Sequence, residues 1–140
     1  KKLSQIKNMS IKIIKFKKFR DKSGDLVPYY SNLIGKFPFI NKRIFLVYGK
    51  KNHKRSDHAH KICKQLLVCV NGSIKVVINK KKNFLLSAKK SEGLLIPKLN
   101  WSEIFFTKKN SILMVFCDKQ YSSKEYIRNY KVFLTLKKKK

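Results

Sequence analysis

Short apolar runs separated by polar, turn-forming residues recur along the chain at positions 11–16, 43–48, 65–70, 74–78, 84–87, 93–96, 104–106 and 112–116. Runs of this length, rich in Val, Ile, Leu and Phe, predict strands, and their even spacing predicts an all-β sandwich or barrel. Within Arg43-Ile-Phe-Leu-Val-Tyr48 the alternation places Arg43, Phe45 and Val47 on one face. Asn71-Gly72 separates two apolar runs, and both residues tolerate positive φ, so the pair predicts a tight hairpin. Residues 32–39, with Gly35 and Pro38, read as a loop, and residues 1–10 and 137–140 as frayed ends. The chain carries no internal repeat, heptad or phosphate-cradling glycine loop.

A chain of 140 residues suits a single domain with a core of its own. Cys63, Cys69 and Cys117 form no CxxC pair, and two of them fall within apolar runs, so they read as buried thiols of a reducing compartment. No apolar run approaches the roughly 20 residues that span a bilayer, and the lysine-rich start lacks the apolar stretch of a signal peptide. A cytoplasmic protein without a membrane partner is expected. The net charge of +28, from 35 Lys+Arg against seven acidic residues, invites a nucleic-acid reading. Only four of those cations are arginine, however, and the lysines are scattered rather than gathered in a recognition element. The charge is therefore read as a lysine-biased solvated surface that attracts an anionic substrate, and specific nucleic-acid binding is not expected.

The segment Arg55-Ser56-Asp57-His58-Ala59-His60-Lys61 carries the densest candidate chemistry. Side chains two apart on a strand share a face, so His58 and His60 can work on one ligand, as a base pair or as half of a metal site. His58-x-His60, four residues, Gln65, six residues and Gly72 have the spacing of the first cupin motif, with Gln65 where a glutamate is usual. Gly93-Leu-Leu-Ile-Pro97, continuing to Trp101, resembles the second cupin motif, but Ser102 stands where that motif usually supplies a third histidine. Two imidazoles and a neutral amide make a poor cage for a transition metal. The histidines are better suited to carrying protons, because imidazole titrates near pH ~6.5.

Four separated motifs narrow the resemblance. The run from Phe37 to Phe45, the segment from Arg55 to Lys61 with Gln65, the stretch from Gly93 to Pro97 with Trp101, and Tyr121 with Tyr126-Ile-Arg-Asn-Tyr130 are similar in kind and order to the sugar 3,4-ketoisomerases, the WxcM-like cupins. The similarity spans about residues 11–135, leaving 1–10 as a flexible segment and 136–140 as a lysine tail. It implies a double-stranded β-helix, or jelly roll, and an isomerase that moves a carbonyl from C4 to C3 of a thymidine-diphosphate-linked 4-keto-6-deoxyhexose in deoxysugar biosynthesis, without metal or organic cofactor. Residue by residue it implies His58 as base, His60 as a second proton carrier or positioning group, and Tyr30 as a proton relay. It further implies Arg43 on the sugar or the developing oxyanion, Arg55 or Lys61 on the diphosphate, and Gln65 and Trp101 in the pocket wall. Relatives are homodimers, so a two-fold dimer is expected. The chain departs from the family pattern at Asn41, Phe45, Ser56 and Ser102, with Phe45 in place of a common tyrosine and Ser56 in place of a glycine. Two rival readings remain: a noncatalytic sugar-nucleotide-binding cupin, which would bind without turnover, and a basic nucleic-acid binder, whose affinity would fall steeply with salt.

Overall fold

The computed structural model describes residues 10–30 and 37–139. Twelve strands are assigned: β1 (Lys12–Lys15), β2 (Phe19–Asp21), β3 (Gly24–Leu26), β4 (Arg43–Tyr48), β5 (Lys54–His60), β6 (Gln65–Asn71), β7 (Ser73–Ile78), β8 (Lys82–Ser87), β9 (Glu92–Ile96), β10 (Ser102–Phe106), β11 (Ile112–Cys117) and β12 (Tyr126–Ile127). All eight predicted strands are present. They form two five-stranded antiparallel sheets, in the orders β1-β9-β6-β11-β4 and β12-β5-β10-β7-β8, the jelly-roll arrangement expected from the sequence. β2 and β3 make a separate, exposed hairpin, which the charged sequence there did not suggest.

The inner faces of the two sheets meet in the main core. Leu67, Leu94, Leu113 and Val115 of the first sheet pack with Ile74, Val76, Ile104 and Phe106 of the second. The first sheet is covered on its outer face too, where Leu66, Val68, Leu95 and Phe116 bury against Phe16, Phe37 and Phe39. Burial on both faces explains why β6 is apolar without interruption. Phe37 and Phe39 end the stretch expected to be a loop; positions 32–36 of that loop and 1–9 of the expected flexible start lie outside the described residues.

Asn71-Gly72 is not a hairpin. β6 and β7 belong to different sheets, so the chain turns a corner between layers at this point. Gly72 does take the expected left-handed backbone, with φ of 76°. What decides its partner is tertiary: a Cβ at Gly72 would lie 2.3 Å from Ser111 Oγ and 3.0 Å from Ser111 Cα. Gly72→Ala should therefore cost about 2 kcal/mol or more, since left-handed strain alone is worth about 1–2 kcal/mol. A fall in the urea midpoint at constant slope checks this; an unchanged midpoint would remove the close contact as the reason for glycine.

The end read as a lysine tail begins inside a helix, α1 (Tyr130–Lys138). Asn129 caps it, its side-chain oxygen accepting from the Val132 N–H at 3.1 Å. Phe133 is its buried anchor and packs on Trp101, with ring centroids 5.6 Å apart. Lys137 Nζ donates to Leu99 O at 2.7 Å and to Asn100 Oδ1 at 2.9 Å, so this lysine is held rather than frayed. Among the described residues no helix is long and apolar enough to cross a membrane.

Candidate active site

A cavity of about 630 Å³ opens between the sheets. β4 contributes Arg43, Phe45 and Val47, the face read from the alternation, with Leu46 and Tyr48 at the edge of the strand, and β6 contributes Gln65 and Leu67. From the second sheet come Arg55, Ser56 and His58, and Tyr126 and Arg128 close the wall from the C-terminal segment. Three of the four arginines in the chain line this cavity, and among the described residues no lysine does.

A bulge in β5 sets the aim of the histidines. Ser102 of β10 faces His58 while Glu103 faces Ser56, so Asp57 is an extra residue in the ladder. Ser56 and Asp57 both take left-handed backbone, with φ of 74° and 62°. Each such residue costs roughly 1–2 kcal/mol relative to its ordinary conformation, which is the physical reason a glycine suits position 56. The strained pair is pinned by its own side chains: the Ser56 and Ser102 hydroxyls are 2.7 Å apart, and the Trp101 indole N–H donates to Asp57 Oδ1 at 3.1 Å. Two departures from the family pattern, Ser56 and Ser102, are thus bonded to each other.

Beyond the bulge the strand alternates again. Ala59 packs in the outer cluster with Trp101, Ile127 and Phe133. His58 and His60 lie together, rings edge to face at 4.9 Å, and Tyr126 touches both, at 4.8 Å from His58 and 4.5 Å from His60. Pairing of β12 with β5 places Tyr126 across from His60. The Arg128 guanidinium lies over the Tyr126 ring at 4.7 Å, and that of Arg43 over Phe45 at 4.6 Å and Tyr121 at 5.0 Å. Contact of a guanidinium with an aromatic face restrains its position and is compatible with N–H donation to a ligand.

The two imidazoles differ in their partners. His58 Nδ1 is buried without a side-chain hydrogen-bond partner among the described residues, the Ser56 backbone being a polar neighbour of the ring. Burial, and after it the neighbouring His60, push His58 down to about 4 from its ordinary 6.5. His60 is 6% exposed, and its Nδ1 is hydrogen-bonded to Glu125 Oε2. Burial lowers His60 as well, against the pull of Glu125. Burial opposes ionisation of Glu125, but the His60 bond and the N–H groups of Ile62 and Cys63, donating to Oε1 at 3.2 and 3.1 Å, outweigh it and keep the carboxyl below its usual range. Gln65 is tied back through its amide to Cys117 Sγ at 3.6 Å.

Of the residues singled out from the sequence, Arg43, Arg55, His58 and Gln65 line the cavity, and His60 lies directly behind His58. Trp101, 2% exposed, is packed under α1 and reaches the site only through Asp57. Lys61 points to solvent, its backbone N–H donating to Glu125 O at 2.8 Å, and Tyr30 is 46% exposed and outside the cavity. Glu125 was not singled out, and Tyr126 and Arg128 were named only within a motif read as structural, whereas both line the cavity. The readable signal was the Tyr-x-Arg alternation at 126–128, which repeats the period of His-x-His. Cys63, Cys69 and Cys117 are all free and buried, as expected.

His60, Cys63 and Glu125 offer ligand-type atoms within 4.8 Å of one another. Glu125 is already committed through both oxygens, and Cys63 Sγ donates to Lys64 O at 3.3 Å, so a cation there would displace existing bonds. The cavity itself presents neutral imidazole beside guanidinium. That combination can take a proton from carbon and hold the resulting negative charge.

Comparison with known proteins agrees with this geometry. The family model described as WxcM-like, C-terminal (FdtA) matches residues 9–138. A TDP-4-oxo-6-deoxy-alpha-D-glucose-3,4-oxoisomerase of Aneurinibacillus thermoaerophilus is 33% identical over 129 residues, covering 89% of this chain and 91% of the relative. A double mutant of the QdtA 3,4-ketoisomerase from Thermoanaerobacterium thermosaccharolyticum, solved with TDP, superposes with a TM-score of 0.85 at 34% identity, over 92% of this chain and 94% of that one. A histidine-to-asparagine variant of the same enzyme, solved with TDP-4-keto-6-deoxyglucose, gives 0.84 at 32% identity, over 93% and 95%. With the family model matched over residues 9–138, and with His58 in the wall of a cavity between the sheets and His60 behind it, the chain belongs to the WxcM-like family of sugar 3,4-ketoisomerases.

Proposed function

We propose that this protein is a nucleotide-sugar 3,4-ketoisomerase that converts thymidine-diphosphate-linked 4-keto-6-deoxyglucose to its 3-keto isomer, in deoxysugar and surface-polysaccharide biosynthesis. The observation that carries the reading is a neutral, desolvated His58 in the wall of an arginine-lined cavity. A ketone at C4 acidifies the proton at C3. His58 removes that proton, the electron pair forms an enediolate, and carbon is reprotonated at C4 while the hydroxyl proton leaves O3 and O4 gains one. Arg43 holds the developing oxyanion by a charge-assisted hydrogen bond. Arg55, toward the mouth, meets the diphosphate, with Arg128 beside the histidines. The reading takes no metal or organic cofactor, in keeping with Gln65 and Ser102 at positions where metal-binding cupins present ligands.

The assembly in this reading is a two-fold homodimer in the cytoplasm. Supporting it are three buried cysteines that form no disulfide and an apolar stripe on edge strand β4, where Ile44, Leu46 and Tyr48 are 53%, 46% and 71% exposed.

The deciding experiment is an NMR time course of the purified protein with the 4-keto substrate in D2O. A 3-keto product carrying deuterium at C4 supports the reading; bound but unchanged substrate would turn it into a noncatalytic cupin. The pH profile follows from the same imidazole. His58 loses its lone pair only below its own pKa, so kcat/KM of the free enzyme should stay level across neutral pH and drop as pH nears about 4. An acid limb at the ordinary imidazole value would take the base role from His58.

A further inference from the structure

Ketoisomerisation moves two protons, one between carbons and one between oxygens, and His58 accounts for only the first. His58 has no carboxylate against it, whereas His60 does. The His60–Glu125 pair sits behind the cavity wall and touches the cavity through two groups that line it, His58 and Tyr126. Glu125 is itself anchored by the Ile62 and Cys63 amides, which donate and so hold it as an acceptor. A carboxylate that can only accept forces His60 to donate from Nδ1, which leaves the lone pair on Nε2. That nitrogen is buried and takes no hydrogen bond among the described residues.

We propose that Glu125 is a positioning residue that locks His60 in the Nδ1–H tautomer, so that His60 Nε2 can hold the second proton of the isomerisation. The inference rests on the reading above. Protonation at Nε2 makes an imidazolium whose Nδ1–H stays bonded to Glu125, so the charge created is balanced by one already present, and release of the same proton restores the starting state. The other charged groups facing His60, Arg43 and Arg128, oppose that imidazolium, as does His58 when protonated, so the one buried carboxylate facing the ring decides whether it forms. A buried carboxylate that orients imidazole in this way acts through tautomer and charge rather than through contact with substrate.

The test combines 15N NMR of histidine-labelled protein with kinetics of Glu125→Gln. Wild-type His60, assigned by loss of its signals in His60→Asn, is expected to carry its proton on Nδ1. Glu125→Gln, whose amide can donate to Nδ1, is expected to move the proton to Nε2 and to lower kcat about 100-fold with KM within about threefold, shifting the kcat pH profile. Wild-type His60 protonated on Nε2 would overturn the proposal even if the variant failed to fold. A folded variant with unchanged kcat and pH profile would overturn it equally. Absence of turnover in the wild type would instead count against the ketoisomerase reading, and the NMR tautomer would still decide the role of Glu125.

Discussion

His58→Asn should leave the fold intact and lower kcat by about 10³-fold, within the range that a positioned general base contributes. Asparagine is close to imidazole in reach and polarity but cannot accept a proton at neutral pH. The fold should tolerate it, because no side chain is bonded to His58 Nδ1 among the described residues and burial already disfavours its charged form. Binding should survive, since Arg43, Arg55 and Arg128 still line the cavity. Single-turnover NMR on the variant, with near-UV circular dichroism and a thermal melt as controls, checks all three points. A folded variant that turns over within about tenfold of wild type would show that another group takes the carbon proton.

Arg43→Lys should be nearly as damaging, lowering kcat/KM by about 100-fold while keeping the formal charge. Loss of one well-aimed donor to a developing oxyanion costs about 10²–10³ in rate. Lysine keeps the charge but loses the plane that lies 4.6 Å over Phe45 and 5.0 Å over Tyr121, and with it the orientation of the donor edge. If charge alone mattered, the substitution would be silent, and a kcat/KM close to wild type would refute the aligned-donor role. Arg43→Ala beside it separates the two contributions, because it removes both.

Much of this was open to reading in the chain itself. The eight strands announced themselves because short apolar runs bounded by turn-forming residues are the image of strands packed between layers, and His58-x-His60 declared a shared direction by the two-residue period of a strand. Asn71-Gly72 misled because a left-handed glycine serves a hairpin and a sheet-to-sheet corner equally well, and only contact with Ser111, distant in sequence, separates them. Helix α1 was hidden by its composition: Tyr, Val, Phe and Thr are indifferent helix formers, and the lysines that end it look like a tail. Glu125 was hidden by distance, 65 residues from His60 and in a short turn beside Lys124, where an acid reads as surface. Trp101, which the resemblance put in the pocket wall, follows the commoner fate of a large aromatic and is core, its indole N–H meeting Asp57. What escaped the sequence in each case was a long-range contact.

The split between lysine and arginine has a practical consequence. Because, among the described residues, the cavity is lined by arginines and by no lysine, the charge that governs bulk behaviour and the charge placed to do chemistry reside in different residue types. The exterior can accordingly be recharged toward glutamine or glutamate at its lysines, keeping bonded ones such as Lys54, Lys64 and Lys137, to make the protein less adhesive and easier to crystallise. Solubility engineering and active-site engineering are, for this molecule, separable problems.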